Sequence, residues 1–199
     1  MSISPNKLNH KITPFLDGDH ICLVPIKKEH LDLYVKWMNN PRVRRLARST
    51  TPTTKEDIEK RFEVQKKKIK DSFYFEIFHK QDKKLIGDCG FNNISWIDRR
   101  GNIGLGIGEP KYWNKGIASE AVNLLLKYGF DELNLFKIYA DIFSPNIGSW
   151  RCAEKVGMKR EAELKKHEYI EGKYVDRYIY SIFKDDWKDY NKNRKNYAG

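Results

Sequence analysis

The chain has 199 residues, of which 40% are hydrophobic and 13% aromatic, and it carries a formal net charge of +11 at pH 7. That length suits one well-packed domain and would cramp two, and the apolar content excludes a disordered chain. No run approaches the roughly 18 apolar residues of a membrane span, and the opening MSISPNKLNHKITPF lacks the apolar core of a secretory signal.

Residues 1–19, with Pro5, Pro14 and Gly18, show no period and are assigned to an irregular leader. Ile21–Ile26 reads as an apolar strand. Glu29 to Asn39 carries Leu31, Tyr34, Val35 and Met38 at helical spacing and ends at Asn40-Pro41. The segment RVRRLARSTTPT is expected to be a loop. Thr54 and Asp57 then open a second helix as a capping box, and it runs to about Lys70 with Lys66-Lys67-Lys68 on its outside.

Strands are expected at Phe73–Phe78, at Leu85–Phe91 continuing towards Trp96, and at Asn102–Gly108 after the turn Asp98-Arg99-Arg100-Gly101. Ile117, Ala121, Val122, Leu125 and Tyr128 mark one face of a helix ending near Leu133. Phe136–Phe143 is again a strand, and Pro145-Asn146 starts a helix through Lys155 that Gly157 closes. Strands Lys159–Tyr169 and Lys173–Phe183 flank the hairpin signal Glu171-Gly172. From Lys184 the chain is polar and expected to fray. The domain is placed at 20–187 and a C-terminal tail at 188–199. This order describes one mixed α/β domain, and its run of antiparallel strands argues against a doubly wound parallel sheet.

Cys22, Cys89 and Cys152 are scattered and odd in number, so they read as free thiols in a reducing, cytoplasmic compartment. None lies at ligand spacing with the five histidines, and no metal is expected. The positive charge has two readings. One is an anionic partner; the other is ordinary solvated faces. No zinc finger, aromatic RNA-binding motif or basic heptad accompanies it, so nucleic acid is not expected to be the main partner.

The stretch Lys111-Tyr112-Trp113-Asn114-Lys115-Gly116-Ile117-Ala118-Ser119-Glu120 follows a glycine-rich strand and opens a long helix. A strand that ends in such a turn exposes amide N–H groups at the positive end of a helix, which is a site for phosphate. Gly116 lets the chain close around the anion, Ala118 keeps the approach clear, and Lys111 and Lys115 add charge. A plain helix start is the other reading. The pattern is neither a P-loop nor a dinucleotide fingerprint.

About 30 residues later stands SPNIGSWRCAEKVGM, with Asn146, Ser149 and Gly157. Together the two stretches resemble the GNAT superfamily of acyl-CoA N-acyltransferases, whose hallmark turn is matched here by Trp113, Gly116 and Ala118. The form with Glu120-Ala121 is similar to the RimJ/RimL-type branch, which acetylates protein N-termini. That branch is also matched by Asn146 and Ser149, by Glu154-Lys155-x-Gly157, by Gly172-x-Tyr174-x-Asp176, and by Trp37-Met38-Asn39-Asn40-Pro41-Arg42-Val43. The resemblance covers roughly 20–187. It implies a mostly antiparallel twisted sheet splayed between the fourth and fifth strands, flanked by helices, and acetyl-CoA as cosubstrate.

Residue by residue, the resemblance implies that the pantetheine arm pairs with the strand at Gly106, Ile107 and Gly108. The pyrophosphate would lie over the amides of Trp113, Asn114, Lys115, Gly116, Ile117, Ala118 and Ser119. Asn146 would bond the pantetheine, or merely cap its helix, and Ser149 would lie near the thiol, or on the surface. Many relatives carry a catalytic glutamate where this chain has Asn102 and an acid tyrosine where it has Ala153. Asp141 on the fifth strand is the candidate base, with a salt bridge as its other reading, and Ser149 the candidate partner of the departing thiol. Cys152, with no paired histidine, is read as structural, and transfer as direct.

A weak base suits an α-amine. With a pKa of about 7.8 such an amine is neutral in roughly one molecule in seven at pH 7, against about one in 2,500 for lysine. The expected acceptor is therefore a peptide or protein N-terminus, an acidic one fitting the basic chain. Polyamines and aminoglycosides remain open, as do a non-catalytic acyl-CoA-binding regulator and an RNA-binding role. The sequence leaves room for a homodimer.

Overall fold

The computed structural model describes residues 12–63 and 71–196. Eight strands form one sheet: β1 (Leu16–Asp17), β2 (Ile21–Pro25), β3 (Phe73–His79), β4 (Lys84–Ser95), β5 (Arg100–Ile107), β6 (Lys137–Phe143), β7 (Lys159–Ile170) and β8 (Lys173–Phe183). Their order is β1-β2-β3-β4-β5-β6-β8-β7. The helices are α1 (Leu31–Asn39), α2 (Pro41–Ala47), α3 (Lys55–Glu63), α4 (Ile117–Asp131), α5 (Ile147–Lys155) and α6 (Lys184–Asn196). The fold is mixed α/β, as expected. The chain groups into two compact units, 12–90 with 105–124 and 91–104 with 125–196, and β4, β5 and α4 run through both.

In the first unit, Leu31, Tyr34 and Trp37 of α1 lie buried with Cys22, Val24, Ile58 and Leu85. The segment expected to be a loop after Pro41 is instead α2. The same Asn40-Pro41 that stops α1 starts the next helix, because Asn40 Oδ1 accepts the Arg42 N–H at 3.0 Å and Pro41 sits in the first turn. The capping box forms as expected: Asp57 Oδ2 accepts the Thr54 N–H at 2.9 Å, and Thr54 Oγ1 accepts the Asp57 N–H at 3.2 Å. The lysine run 66–68 lies outside the described residues. The leader holds one short strand, β1, antiparallel to β2.

In the second unit, β5 and β6 pair parallel over Arg100–Asn102 against Lys137–Tyr139. Strands β6 and β8 then pair antiparallel along all seven positions of β6. The hairpin from β7 to β8 turns at Glu171 and Gly172, both with positive φ of 49° and 83°. The polar tail expected to fray is helical, because two aromatic residues anchor it. Trp187 packs on Phe130 with ring centroids 5.4 Å apart, and the Tyr190 hydroxyl donates to the Lys155 carbonyl at 2.6 Å.

Candidate functional site

Within the first unit, the end of β5 is tied to the turn that follows it. The Trp113 indole N–H donates to the Ile107 carbonyl at 2.9 Å, and the Arg42 guanidinium of α2 lies 5.2 Å from the centroid of the same ring. The Gly108 N–H donates to the Ile86 carbonyl of β4 at 2.9 Å. Because successive residues of a strand direct their backbone groups to opposite sides, the N–H of Ile107 faces away from β4. The Gly108 amide is thus already committed to β4.

The turn itself is built by left-handed backbone at Asn114 (φ 59°) and Gly116 (φ 81°). No atom lies within 4 Å of where a Cβ on Gly116 would be, so that side of the turn is open. The first intrahelical bond of α4 runs from the Glu120 N–H to the Gly116 carbonyl at 3.0 Å. The amides ahead of it therefore project from the helix end, where the helix dipole favours an anion. The Glu120 carboxylate turns the other way and accepts the N–H groups of His20 at 2.8 Å and Ile21 at 3.2 Å.

Beneath the turn, buried Tyr112 gathers three ammonium groups around its ring, with Lys111 at 4.8 Å, Lys84 at 5.3 Å and Lys115 at 6.0 Å. Its hydroxyl donates to Asp82. Burial holds the Lys84 amine below the usual lysine range against the pull of Glu109, and the neighbouring Lys111 charge lowers it further.

Within the second unit, Asp141 is exposed on β6, and its Oδ2 accepts the Asn102 amide at 2.6 Å. The Asn102 oxygen in turn accepts the Asn92 amide at 3.3 Å. Asn146 caps α5, its Oδ1 taking the Ser149 N–H at 3.3 Å, which leaves its NH2 group for another partner. Ala153 is buried, and its methyl side chain offers no proton donor. Cys89 is fully buried, and burial pushes its thiol well above the ordinary range. Among the described residues no group of three or more His, Cys, Asp or Glu is placed to hold a metal ion. No helix there is long and apolar enough to cross a membrane.

The structure thus brings Ile107 to Trp113, Asn102 to Asp141 and Asn146 to Ser149. Sequence reasoning missed Asn92, and it took Arg42 only as part of a motif. For Asn92 the available signal was a polar pair, Asn92-Asn93, interrupting an apolar strand.

A sequence profile described as the acetyltransferase (GNAT) domain matches residues 20–159. The chain is 36% identical over 113 residues to an uncharacterised N-acetyltransferase, p20, of Bacillus licheniformis, a match covering 57% of this chain and 63% of that protein. It is 28% identical over 165 residues to the alpha/beta-tubulin-N-acetyltransferase 9 of Mus musculus, covering 78% and 68%. A crystal structure of spermidine N-acetyltransferase from Vibrio cholerae with CoA and spermine superposes with a TM-score of 0.76. It covers 84% of this chain and 98% of that one at 24% identity, a likeness of fold.

Proposed function

Because the chain belongs to the GNAT acetyltransferase family, we propose that it moves acetyl from acetyl-CoA directly to a primary amine, with a peptide or protein N-terminal α-amine as acceptor. The observation that carries this reading is the contact of Asn102 with Asp141 at 2.6 Å, which orients a solvent-accessible carboxylate beside the position of the family's usual glutamate. The diphosphate of acetyl-CoA lies over the amides from Trp113 to Ser119, and the pantetheine follows β5. Asn146 offers its NH2 group to that arm.

The acceptor ammonium gives a proton to the Asp141 carboxylate, through water. The nitrogen lone pair attacks the thioester carbon, a C–N bond forms, and the carbonyl π pair moves to oxygen, where a backbone N–H stabilises it. The oxyanion pair then re-forms the C=O bond as the C–S bond breaks with its electron pair on sulfur. The proton shed by the amide nitrogen ends on the thiolate, with Ser149 as hydrogen-bond partner, so the products are N-acetyl amine and CoA.

An exposed carboxylate is a modest base, and an α-amine asks less of a base than lysine does, by roughly 3.5 kcal/mol. The net charge of +11 supports an acidic acceptor and disfavours a polycation. The likeness to a tubulin N-acetyltransferase supports a protein acceptor. The polyamine reading is supported by the fold shared with the spermidine enzyme. The free cysteines support a reducing, cytoplasmic setting.

The test is calorimetry with acetyl-CoA followed by thiol release against N-terminal peptides, polyamines and aminoglycosides. Turnover with acidic N-terminal peptides is expected. Turnover confined to polyamines or aminoglycosides moves the acceptor class, binding without turnover with any amine makes the chain a regulator, and absence of binding overturns the reading.

A further inference from the structure

From the geometry around Asp141 we infer that Asn92 and Asn102 are positioning residues for the transfer, and that Gly104 is bare to admit Asn92. This rests on the proposed function, with Asp141 as the base. Three neighbouring strands each contribute one group: Asn92 from β4, Asn102 from β5 and Asp141 from β6. The Asn92 amide donates to Asn102 Oδ1 at 3.3 Å, and the Asn102 amide donates to Asp141 Oδ2 at 2.6 Å.

The polarity of this row follows from its last member, because the Asp141 carboxylate can only accept. An asparagine amide can be rotated to present either its oxygen or its NH2 group. With its oxygen held by Asn92, Asn102 presents NH2 to the carboxylate. The opposite rotation would set oxygen against carboxylate, a repulsive contact. The room for Asn92 is made by Gly104, where a Cβ would stand 2.9 Å from Asn92 Nδ2. One oxygen of Asp141 is thereby fixed, and the other is left to the water that carries the acceptor's proton.

A neutral amide at position 102 has a second consequence. A carboxylate there would stand against Asp141, and two carboxylates sharing a site retain a proton between them. Asn102 orients the base without competing for its proton.

The test uses the full chain with a peptide acceptor, reading kcat and KM across pH beside acetyl-CoA calorimetry and thermal unfolding. Asp141→Asn should lower kcat by about a hundredfold or more. Asn92→Asp disrupts the row, because a second carboxylate only accepts and so competes with Asp141 for the Asn102 NH2 group. It should lower kcat by about tenfold, with acetyl-CoA affinity and Tm close to wild type. Asn92→Ser, which keeps a donor, should recover most of that loss. Asn102→Asp should move the acidic limb of the pH profile upward by about one unit or more.

The inference is overturned if wild type turns over while Asn92→Asp matches it in kcat and pH profile, or if Asp141→Asn remains active. An inactive wild type that binds no acetyl-CoA instead sinks the proposed function, and this inference with it. Should Asn92→Asp fail to fold, an unmoved pH profile in Asn102→Asp is the overturning result.

Discussion

The indole of Trp37 lies against the bare Cα of Gly108. A Cβ at Gly108 would stand 2.2 Å from Trp37 Cγ and Cδ2, while the indole N–H donates to Glu109 Oε1 at 3.1 Å. The ring cannot slide without breaking that bond, and Trp37 is buried. Gly108→Ala should therefore destabilise the protein by about 1–3 kcal/mol, as overpacking does. Urea unfolding reads it as a lowered midpoint at unchanged slope, and an unchanged midpoint would mean the ring has room to yield.

Gly116 presents the opposite case, since nothing surrounds it and its constraint is φ alone, at 81°. Gly116→Ala should cost about 1 kcal/mol through the left-handed backbone, and Gly116→Asn less, because asparagine tolerates that region. If the turn grips a diphosphate, calorimetry with acetyl-CoA should show the alanine variant weakened by roughly fivefold.

His30, Tyr34 and Glu76 form a buried polar cluster in the first unit. Glu76 is 0% exposed, His30 Nδ1 lies 2.9 and 2.8 Å from its two oxygens, and the Tyr34 hydroxyl donates to it at 3.4 Å. His30→Ala strands the carboxylate and should cost about 3–5 kcal/mol. Restoring neutrality with the double change His30→Ala, Glu76→Leu should recover a good part of it. Chemical denaturation of the three proteins gives the comparison.

Tyr180 sets an alkaline limit. Its hydroxyl donates to Glu154 Oε1 at 3.0 Å, and burial together with that carboxylate pushes its pKa up to about 12. The unfolded chain releases this proton near pH 10, so between about 10 and 12 the folded state holds more protons than the unfolded one. Stability from this group is therefore whole below pH 10 and lost as the pH climbs towards 12. Tyr180→Phe should flatten that part of the stability profile, measured by urea midpoints at successive pH values.

Local signals were legible where one residue decides the geometry. The box Thr54–Asp57, the turn Glu171-Gly172 and the open Gly116 all formed as read. Helix α2 was not legible, because Asn40-Pro41 is at once a stop and a start and only Val43 of that helix is buried. Helix α6 looked like a fraying tail because its stability comes from Trp187 and Tyr190 meeting Phe130 and Lys155, partners distant in sequence. The same holds for Asn92, whose meaning depends on a cross-strand neighbour ten positions away. Glu120 was noted only as part of a motif, yet it anchors the start of β2 through two backbone amides.

The bond from Trp113 to the Ile107 carbonyl has a bearing on solubility. Strand β5 pairs with β6 only through Asn102, so its last residues form a local open rim of the sheet. Unmet acceptors on such a rim invite strands of other chains. The indole satisfies one of them from within the molecule, and a tryptophan-to-leucine change at this position would be expected to favour aggregation on storage, detectable by light scattering before any loss of secondary structure.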